Sequence, residues 1–337
     1  MHKNSNVSII ENNSYCAGKI FYGKYSILHL RRVRRYIIVL LCLFYLFLCK
    51  YESEIKDILP VNSKKKIYFD LFEVNKYNNI KQKLIENKCS FMWDNQREFL
   101  NGIIRKFKPL KILEIGVMYG GSSIIILNAI EDFKNSILFS IDLSSDNNIG
   151  ICVQNYFPNL MKKWILFKGN IATEYMEQIG DNIDMVFIDT AHFEPGEILD
   201  FLIVLPFLKE NAIVIIHDIA NQITRATVRN EWAPYIIFNG IRGEKYFPSG
   251  NNSLTKDIGA IKLAKNQKLY YHDYFRLLGG QWQYFPSELH INQIKNFFKK
   301  YYDLEKISPA KSLPSWRTVP MFRRRDCLSR LPRSLLS

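Results

Sequence analysis

The sequence lacks the cysteine spacing of zinc ribbons and of disulfide-rich scaffolds. Its 337 residues contain six cysteines, and these are scattered without a C-x-x-C pair. Scattered single cysteines argue against a disulfide framework and are typical of proteins in a reducing compartment. We therefore expect a cytoplasmic protein.

Long apolar runs are also scarce, which excludes a polytopic membrane protein. One run stands out, the fourteen apolar or aromatic residues at 36–49, and an arginine-rich cluster at 31–35 precedes it. A bilayer span takes ~20 residues, so this run is either a short membrane anchor or interfacial helix, or else a buried helix or a misassigned start. The basic residues on its two sides are balanced and leave its orientation open. The first of these alternatives predicts a membrane contact through residues 31–50.

The central part of the chain has no excess of basic residues. The formal net charge is +14, but residues 1–50 hold eight Lys+Arg and one acidic residue, and residues 308–337 hold seven and one. Residues 51–307 hold 31 basic and 30 acidic residues, a net charge of +1. Nucleic-acid-binding proteins cluster basic residues on their folded surface, so we expect no nucleic-acid partner. The proline-broken segment 307–337 is predicted to be a disordered basic tail, with an acidic-lipid contact or a shifted reading frame as alternatives.

Apolar, β-branched runs alternate with helical patterns through the middle of the chain. The runs that predict strands lie at 112–115, 137–141, 165–167, 185–188, 212–216 and 258–264. Helical periodicity lies at 122–130, 195–208 and 291–302. Strands that alternate with helices indicate βαβ units and a parallel sheet covered on both faces. We therefore predict an α/β fold.

A glycine turn follows the first of these strands and carries the strongest functional signal. Residues 113–123 read LEIGVMYGGSS, with Gly116 and Gly120 in a G-x-x-x-G spacing. Glycine lets the backbone approach a ligand closely, and the N–H groups of the following helix can bind an anion. The spacing differs from the G-x-G-x-x-G of a dinucleotide site. Glu114, two residues before the first glycine, can approach a cationic or amino group.

An acidic residue ends the next strand. Asp142 lies about twenty residues beyond the glycine turn, a position that suits a bidentate hydrogen bond to the hydroxyl pair of a ribose. Together the turn and this acid predict a ribose-containing cofactor.

These features resemble the class I S-adenosylmethionine-dependent methyltransferases over residues 90–265. The resemblance implies a Rossmann-like, doubly wound, mostly parallel sheet of seven strands with helices on both faces. It also implies a set of residues that contact S-adenosylmethionine: Glu114 near the methionine amino group, Asp142 on the ribose, Asn170 beside the adenine, and Gly116, Gly120 and Ser122 lining the cofactor. Gln96, in a segment that resembles the cofactor cover of this group, is a further candidate. A Rossmann-like oxidoreductase that uses another nucleotide is the alternative.

Two later strands end in acidic residues beside histidines. Asp189 and His192 follow one strand, and His217 and Asp218 end the next. Neighbouring strands lie ~4.8 Å apart, so Asp189 and Asp218 can converge on one divalent cation, and their oxygen ligands suit Mg²⁺. The alternatives are that Asp218 caps the segment after it and that His192 only starts a helix.

The D-x-x-H and H-D patterns resemble the metal-dependent sugar O-methyltransferases and their cephalosporin-hydroxylase-like relatives. The resemblance implies that Asp189 and Asp218 bind the metal and that His192 is the base. Some members have a second acid where this chain has His217. A three-carboxylate site is therefore not expected, and we interpret His217 as structural.

The expected function is methyl transfer from S-adenosylmethionine to a hydroxyl of a small molecule or glycan, by resemblance a sugar. The expected organisation is a basic region at 1–50, a linker with N-terminal helices at 51–90, a methyltransferase domain at 91–306 and the tail at 307–337. S-adenosylmethionine is made in the cytoplasm, so we expect the domain to face it. A non-catalytic, membrane-tethered binding protein is the second hypothesis, and a homo-oligomer is compatible with the sequence.

Overall fold

The computed structural model describes residues 67–69, 74–220, 231–249 and 257–303. The predicted membrane-contacting segment at 31–50 and the predicted tail at 307–337 lie outside the described residues. Among the helices that are described, none combines the length and the apolar character needed to cross a bilayer.

An eight-stranded sheet forms the centre of the described residues. Its strands are β1 (Ile67–Phe69), β2 (Lys111–Ile115), β3 (Ile137–Asp142), β4 (Trp164–Lys168), β5 (Ile183–Ile188), β6 (Leu208–His217), β7 (Gly243–Pro248) and β8 (Ile258–Leu263). Their order across the sheet is β1-β7-β8-β6-β5-β2-β3-β4. Neighbours pair in parallel except at β8, which is antiparallel to both β6 and β7. The predicted Rossmann-like, mostly parallel sheet is therefore confirmed.

Strands β2–β8 make up the predicted seven, and β1 is an additional strand at the edge. Six of the seven coincide with predicted apolar runs, whereas β7 reads GEKYFP and has no such run. Strand β1 has three residues and pairs only with β7. Continuous apolar runs mark strands buried on both faces, and β7 escapes this signal because only Tyr246 and Pro248 in it are buried.

Helices precede and connect the strands. They are α1 (Val74–Glu86), α2 (Asp94–Phe107), α3 (Gly121–Ala129), α4 (Ile151–Tyr156), α5 (Met176–Ile179), α6 (Gly196–Val204), α7 (Ala233–Gly240), α8 (Tyr271–Arg276) and α9 (Glu288–Tyr301). The helix predicted at 195–208 is shorter, because α6 gives way to a 3₁₀ turn at Leu205–Phe207. Pro206 in that turn has no N–H to continue an α-helix, and β6 starts directly afterwards.

Alternating side chains give the sheet two apolar faces. In β5, Val186 and Ile188 belong to a core that includes side chains of α5–α9. Met185 and Phe187 belong to a second core that includes side chains of α1–α4. Successive strand residues point to opposite faces, and helices cover both faces as the doubly wound prediction requires.

Buried polar side chains of α2 fix the position of α3. Asn101 Nδ2 donates to the carbonyl of Ile125 (3.2 Å), and Arg105 Nη1 donates to the carbonyl of Ala129 (2.9 Å). The second bond satisfies a carbonyl at the last residue of α3, where intrahelical donors are missing. The start of α3, which follows the glycine turn, is thereby held against the rest of the domain.

We expect Ile215→Ala, in the middle of β6, to lower the free energy of unfolding by ~2–5 kcal/mol, because Ile215 is fully buried and its truncation leaves a cavity. Ile165→Ala, in the edge strand β4, is the matched control, since Ile165 is 39% exposed and should cost clearly less. Urea unfolding followed by circular dichroism measures both. Equal losses would contradict a central position for β6.

Candidate functional site

The carboxyl ends of β2, β3, β5 and β6 lie at one edge of the sheet. The strand register places Ile115 beside both Ile141 and Ile188, and Ile188 beside Ile216. Doubly wound sheets bind ligands at this edge, at the point where the strand order reverses. In this chain the reversal lies at β2, between β3 and β5. The predicted site residues follow these strands.

Gly116 lies where the glycine turn passes over the end of β5. Its N–H donates to the carbonyl of Ile141 (2.9 Å), and its φ is +88°. A Cβ atom on residue 116 would lie 1.8 Å from the carbonyl oxygen of Asp189. The close approach that requires glycine is therefore to the backbone of Asp189, whereas the predicted reason was an approach to a ligand.

Gly120 immediately precedes α3 and has a φ of +91°. A Cβ atom here would lie 2.8 Å from Val153 Cγ2 and 3.2 Å from Gly150 Cα, so contact with the start of α4 requires this glycine. No side chain caps α3, which leaves its first N–H groups as potential donors to a ligand.

Glu114 is fully buried behind the glycine turn. The hydroxyls of Ser122, Ser123 and Ser140 each donate to its carboxylate at 2.6 Å. Burial raises the pKa of the Glu114 carboxyl to about 7, although the three hydroxyl bonds oppose that rise. Of these four residues only Ser122 is partly exposed, so Glu114 is coupled to the site surface through the Ser122 hydroxyl.

Asp142 joins the end of β3 to the glycine turn. Its Oδ2 accepts from the N–H groups of Val117 (2.9 Å) and Met118 (3.0 Å), and its Oδ1 accepts from the N–H of Ser144 (2.9 Å). A carboxylate oxygen can accept two hydrogen bonds, so Oδ2 is saturated and Oδ1 can accept one further donor. The arrangement leaves room for one ribose hydroxyl, whereas the predicted bidentate contact would require Oδ2 to lose a backbone donor.

The loop that contains Asn170 contacts the end of β3. The N–H of Gly169 donates to the carbonyl of Asp142 (3.0 Å), which places the loop after β4 against the end of β3. Asn170 is half-buried, and its Oδ1 accepts from the N–H of Ile171 (2.9 Å).

Gln96 has a different role from the predicted cofactor contact. It is almost completely buried, and its Oε1 accepts from the N–H of Trp93 (2.6 Å). This bond belongs to the N-terminal cap of α2, where side chains satisfy backbone groups without an intrahelical partner. The structure therefore corrects the interpretation of Gln96.

Asp189, His192 and Asp218 meet at the ends of β5 and β6. Their potential ligand atoms all lie within 4.8 Å of one another. His192 Nε2 is 3.2 Å from Asp218 Oδ2 and 3.8 Å from Asp189 Oδ1. The structure thus brings together the two carboxylates and the histidine that the sequence singled out.

Two residues of this cluster adopt the left-handed backbone conformation. The φ angle is +63° at His192 and +56° at Asp218. For residues other than glycine this conformation costs about 1–3 kcal/mol and is concentrated at functional sites. The N–H of Ala220, two residues after Asp218, donates to Asp257 Oδ1 (2.6 Å).

Carboxylates dominate the electrostatics of the two histidines. Burial alone would lower the pKa of His192, but Glu197, Asp189 and Asp218 raise it to about 9. For His217, burial also opposes protonation, yet Asp189 and Asp218 hold its pKa well above the usual range. A concentration of negative charge with this geometry favours a bound cation.

Sequence reasoning missed two acids of the cluster, Glu197 and Asp257. Glu197, in the first turn of α6, accepts from the backbone N–H of His192 (2.6 Å) through Oε1, which also lies 3.4 Å from His192 Nδ1. Burial, followed by the charge of Asp218, raises the pKa of Asp257 to about 6. Asp257 precedes an antiparallel strand, so its presence at this edge becomes visible only once the direction of β8 is known.

Residues 113–219 match a family model described as a methyltransferase domain. The matched segment begins in β2 and ends just beyond Asp218, so it contains both the glycine turn and the acid–histidine cluster. A comparison with curated proteins finds no match.

Solved structures of similar fold include three methyltransferases. The O-methyltransferase TomG from Streptomyces achromogenes, involved in tomaymycin synthesis and solved with S-adenosylmethionine, is 17% identical, with 58% of this chain and 92% of that chain covered and a TM-score of 0.42. An O-methyltransferase from Bacillus cereus in complex with S-adenosylhomocysteine is 15% identical, with 62% and 97% covered and a TM-score of 0.42. The Podospora anserina methyltransferase PaMTH1, bound to S-adenosylhomocysteine, is 14% identical, with 64% and 97% covered and a TM-score of 0.39.

We expect Gly116→Ala to destabilise the protein strongly, because its Cβ would collide with the carbonyl of Asp189. Gly180→Ala is a matched control: its φ is also positive, at +72°, but the nearest atom to its Cβ is Lys111 Nζ at 3.9 Å. The difference between the two variants in thermal unfolding isolates the steric effect from the backbone strain. A loss at Gly116 no larger than at Gly180 would contradict the close contact.

We expect Glu114→Gln to change the pH dependence of stability. The pKa of this carboxyl rises from 4.5 to about 7 on folding, so its contribution to stability is fully present below pH 4.5 and is lost as the pH rises through about 7. Across that interval the wild type should lose ~3 kcal/mol relative to the variant. Urea unfolding at several pH values measures the difference, with Glu288→Gln in the exposed first turn of α9 as control. A pH-independent difference would contradict the raised pKa.

Proposed function

We propose that residues 113–219, which match a methyltransferase-domain model, form a class I, S-adenosylmethionine-dependent methyltransferase domain, and that the protein methylates a hydroxyl oxygen of a small-molecule or glycan acceptor. A divalent cation and His192 assist the reaction. The observation that carries this proposal is the convergence of Asp189, His192 and Asp218 within 4.8 Å, directly beside the glycine turn. The choice of a sugar as acceptor rests on the sequence resemblance alone.

The donor is held by the glycine-turn side of the site. Asp142 accepts a hydrogen bond from one ribose hydroxyl through Oδ1, and Asn170 lies beside the base. Ser122, with Glu114 behind it, receives the methionine end. Glu114 supports this arrangement because a carboxyl accepting three hydroxyl bonds fixes the rotamers of the serines around it.

The donor set of the cluster fits a divalent cation. Asp189 and Asp218 would hold it, and their oxygen atoms are ligands that Mg²⁺ accepts. One potential ligand atom from each of Asp189, His192 and Asp218 lies within 4.8 Å of the others, a spacing that one ion could span. When bound, the cation would lower the pKa of an acceptor hydroxyl and balance the carboxylate charge that favours a protonated His192.

His192 is placed to accept the hydroxyl proton. Glu197 orients it from behind, with Oε1 contacting both the backbone N–H and Nδ1. Nε2 therefore faces the space between Asp189 and Asp218. In the transfer, the bond from sulfur to the methyl carbon breaks, the acceptor oxygen bonds to that carbon, and the hydroxyl proton moves to Nε2. General-base catalysis of this kind contributes ~10²–10⁴-fold.

We expect His192→Ala to reduce turnover by ~10²–10⁴-fold and to leave the affinity for S-adenosylmethionine nearly unchanged, because His192 lies outside the glycine turn. Transfer of a labelled methyl group to a panel of hydroxylated sugars and small molecules measures turnover, and calorimetry measures binding. His290→Ala, on the distant helix α9, is the control. Wild-type turnover in the His192 variant would remove His192 from the mechanism.

Chelation should abolish methyl transfer and added divalent cation should restore it, because two carboxylates without a cation disfavour the loss of the hydroxyl proton. The same assay with and without a chelator provides the measurement. Asp189→Asn should respond to a cation only at much higher concentration. Turnover that is indifferent to the chelator would refute the two-carboxylate metal site.

A further inference from the structure

His217 differs from an ordinary structural histidine. It is the last residue of β6 and is 9% exposed. Buried side-chain nitrogens normally have a hydrogen-bond partner, but among the described residues neither ring nitrogen of His217 has one. The oxygens that Nδ1 contacts within the described residues belong to the carboxylates of Asp189 and Asp218, and not to backbone carbonyls of the fold.

The His217 ring faces the two carboxylates that would bind the proposed cation. His217 Nδ1 lies 3.3 Å from Asp189 Oδ2 and 3.5 Å from Asp218 Oδ2. Nδ1 is thus within 3.5 Å of one oxygen of each carboxylate. His192 approaches the same carboxylates through different contacts, from Nε2.

The two histidines differ in what they can reach. The side chain of His192 is 24% exposed, whereas that of His217 is 11% exposed. An acceptor hydroxyl can reach the more exposed ring of His192 and transfer a proton to it. The enclosed ring of His217 can contact only groups inside the cluster. Of the two, His217 is therefore suited to bind the ion and His192 to act as the base.

We infer that His217 supplies a nitrogen ligand to the divalent cation held by Asp189 and Asp218, and that this ligand shifts the site from Mg²⁺ toward a transition metal such as Co²⁺ or Zn²⁺. The inference rests on the proposed metal site and is an alternative to the interpretation of His217 as structural. Imidazole suits zinc, iron, nickel and copper, whereas carboxylate and water suit magnesium. A buried nitrogen ligand thus favours the softer ions.

The test measures metal affinity directly, on the metal-free full-length protein without acceptor. Calorimetry gives the affinities for Co²⁺ and Mg²⁺ in the wild type, in His217→Gln, which keeps the bulk of the side chain, and in His217→Asp, which provides a third carboxylate. Because most sites bind Co²⁺ more tightly than Mg²⁺, the informative quantity is the ratio of the two affinities in each protein. The visible spectrum of bound Co²⁺ reports nitrogen ligation independently.

We expect the preference for Co²⁺ over Mg²⁺ to fall by at least ~10-fold in His217→Gln and further in His217→Asp, with a change in the Co²⁺ spectrum. His290→Gln, on α9, should leave both unchanged, and circular dichroism should show all variants folded. An unchanged ratio and spectrum in both His217 variants would overturn the inference, as would a loss of the preference in His192→Gln alone. If the wild type binds neither ion, the proposed metal site itself fails.

Discussion

The approach of Gly116 to the carbonyl of Asp189 is the constraint on which the site depends. Any side chain at residue 116 would place a Cβ 1.8 Å from that oxygen, so the turn after β2 can cross the end of β5 only with glycine. This crossing sets the donor-binding residues beside the acid–histidine cluster. A methyl donor and an acceptor hydroxyl would thereby be oriented by one backbone contact, and orientation is a large part of the rate of such transfers.

Two charge environments lie on either side of this contact. At Glu114, burial disfavours the ionised carboxyl, and hydrogen bonds from three serine hydroxyls partly stabilise the negative charge. At the cluster, Asp218 lies close to Asp257 and raises its pKa further, and like charges in such proximity repel. Positive charge is therefore needed between these acids, either on the imidazoles or on a cation that they help to bind.

Much of the fold could be predicted because strands buried on both faces of a parallel sheet appear in the sequence as continuous apolar runs, as β5 does. Asp142 could be predicted for a different reason: ligands bind at the carboxyl ends of the strands in this architecture, and Asp142 ends β3. Strand β7 could not be found this way because its residues are not buried on both faces. The role of Gln96 could not be predicted because its side-chain amide can either cap a helix or contact a ligand. The structure shows the capping bond, in which the N–H of Trp93 donates to Gln96 Oε1.

By itself, the sequence determined which chemical groups are available and on which strand ends they stand. Gly116, Asp189 and Asp218 could be identified because each stands directly after an apolar run that predicts a strand, and such patterns are local. The tertiary structure alone decided that His217 is enclosed and that Asp257 joins the cluster. Both depend on β8 running antiparallel beside β6, and strand direction is set by pairing and packing between distant segments, which no local pattern encodes.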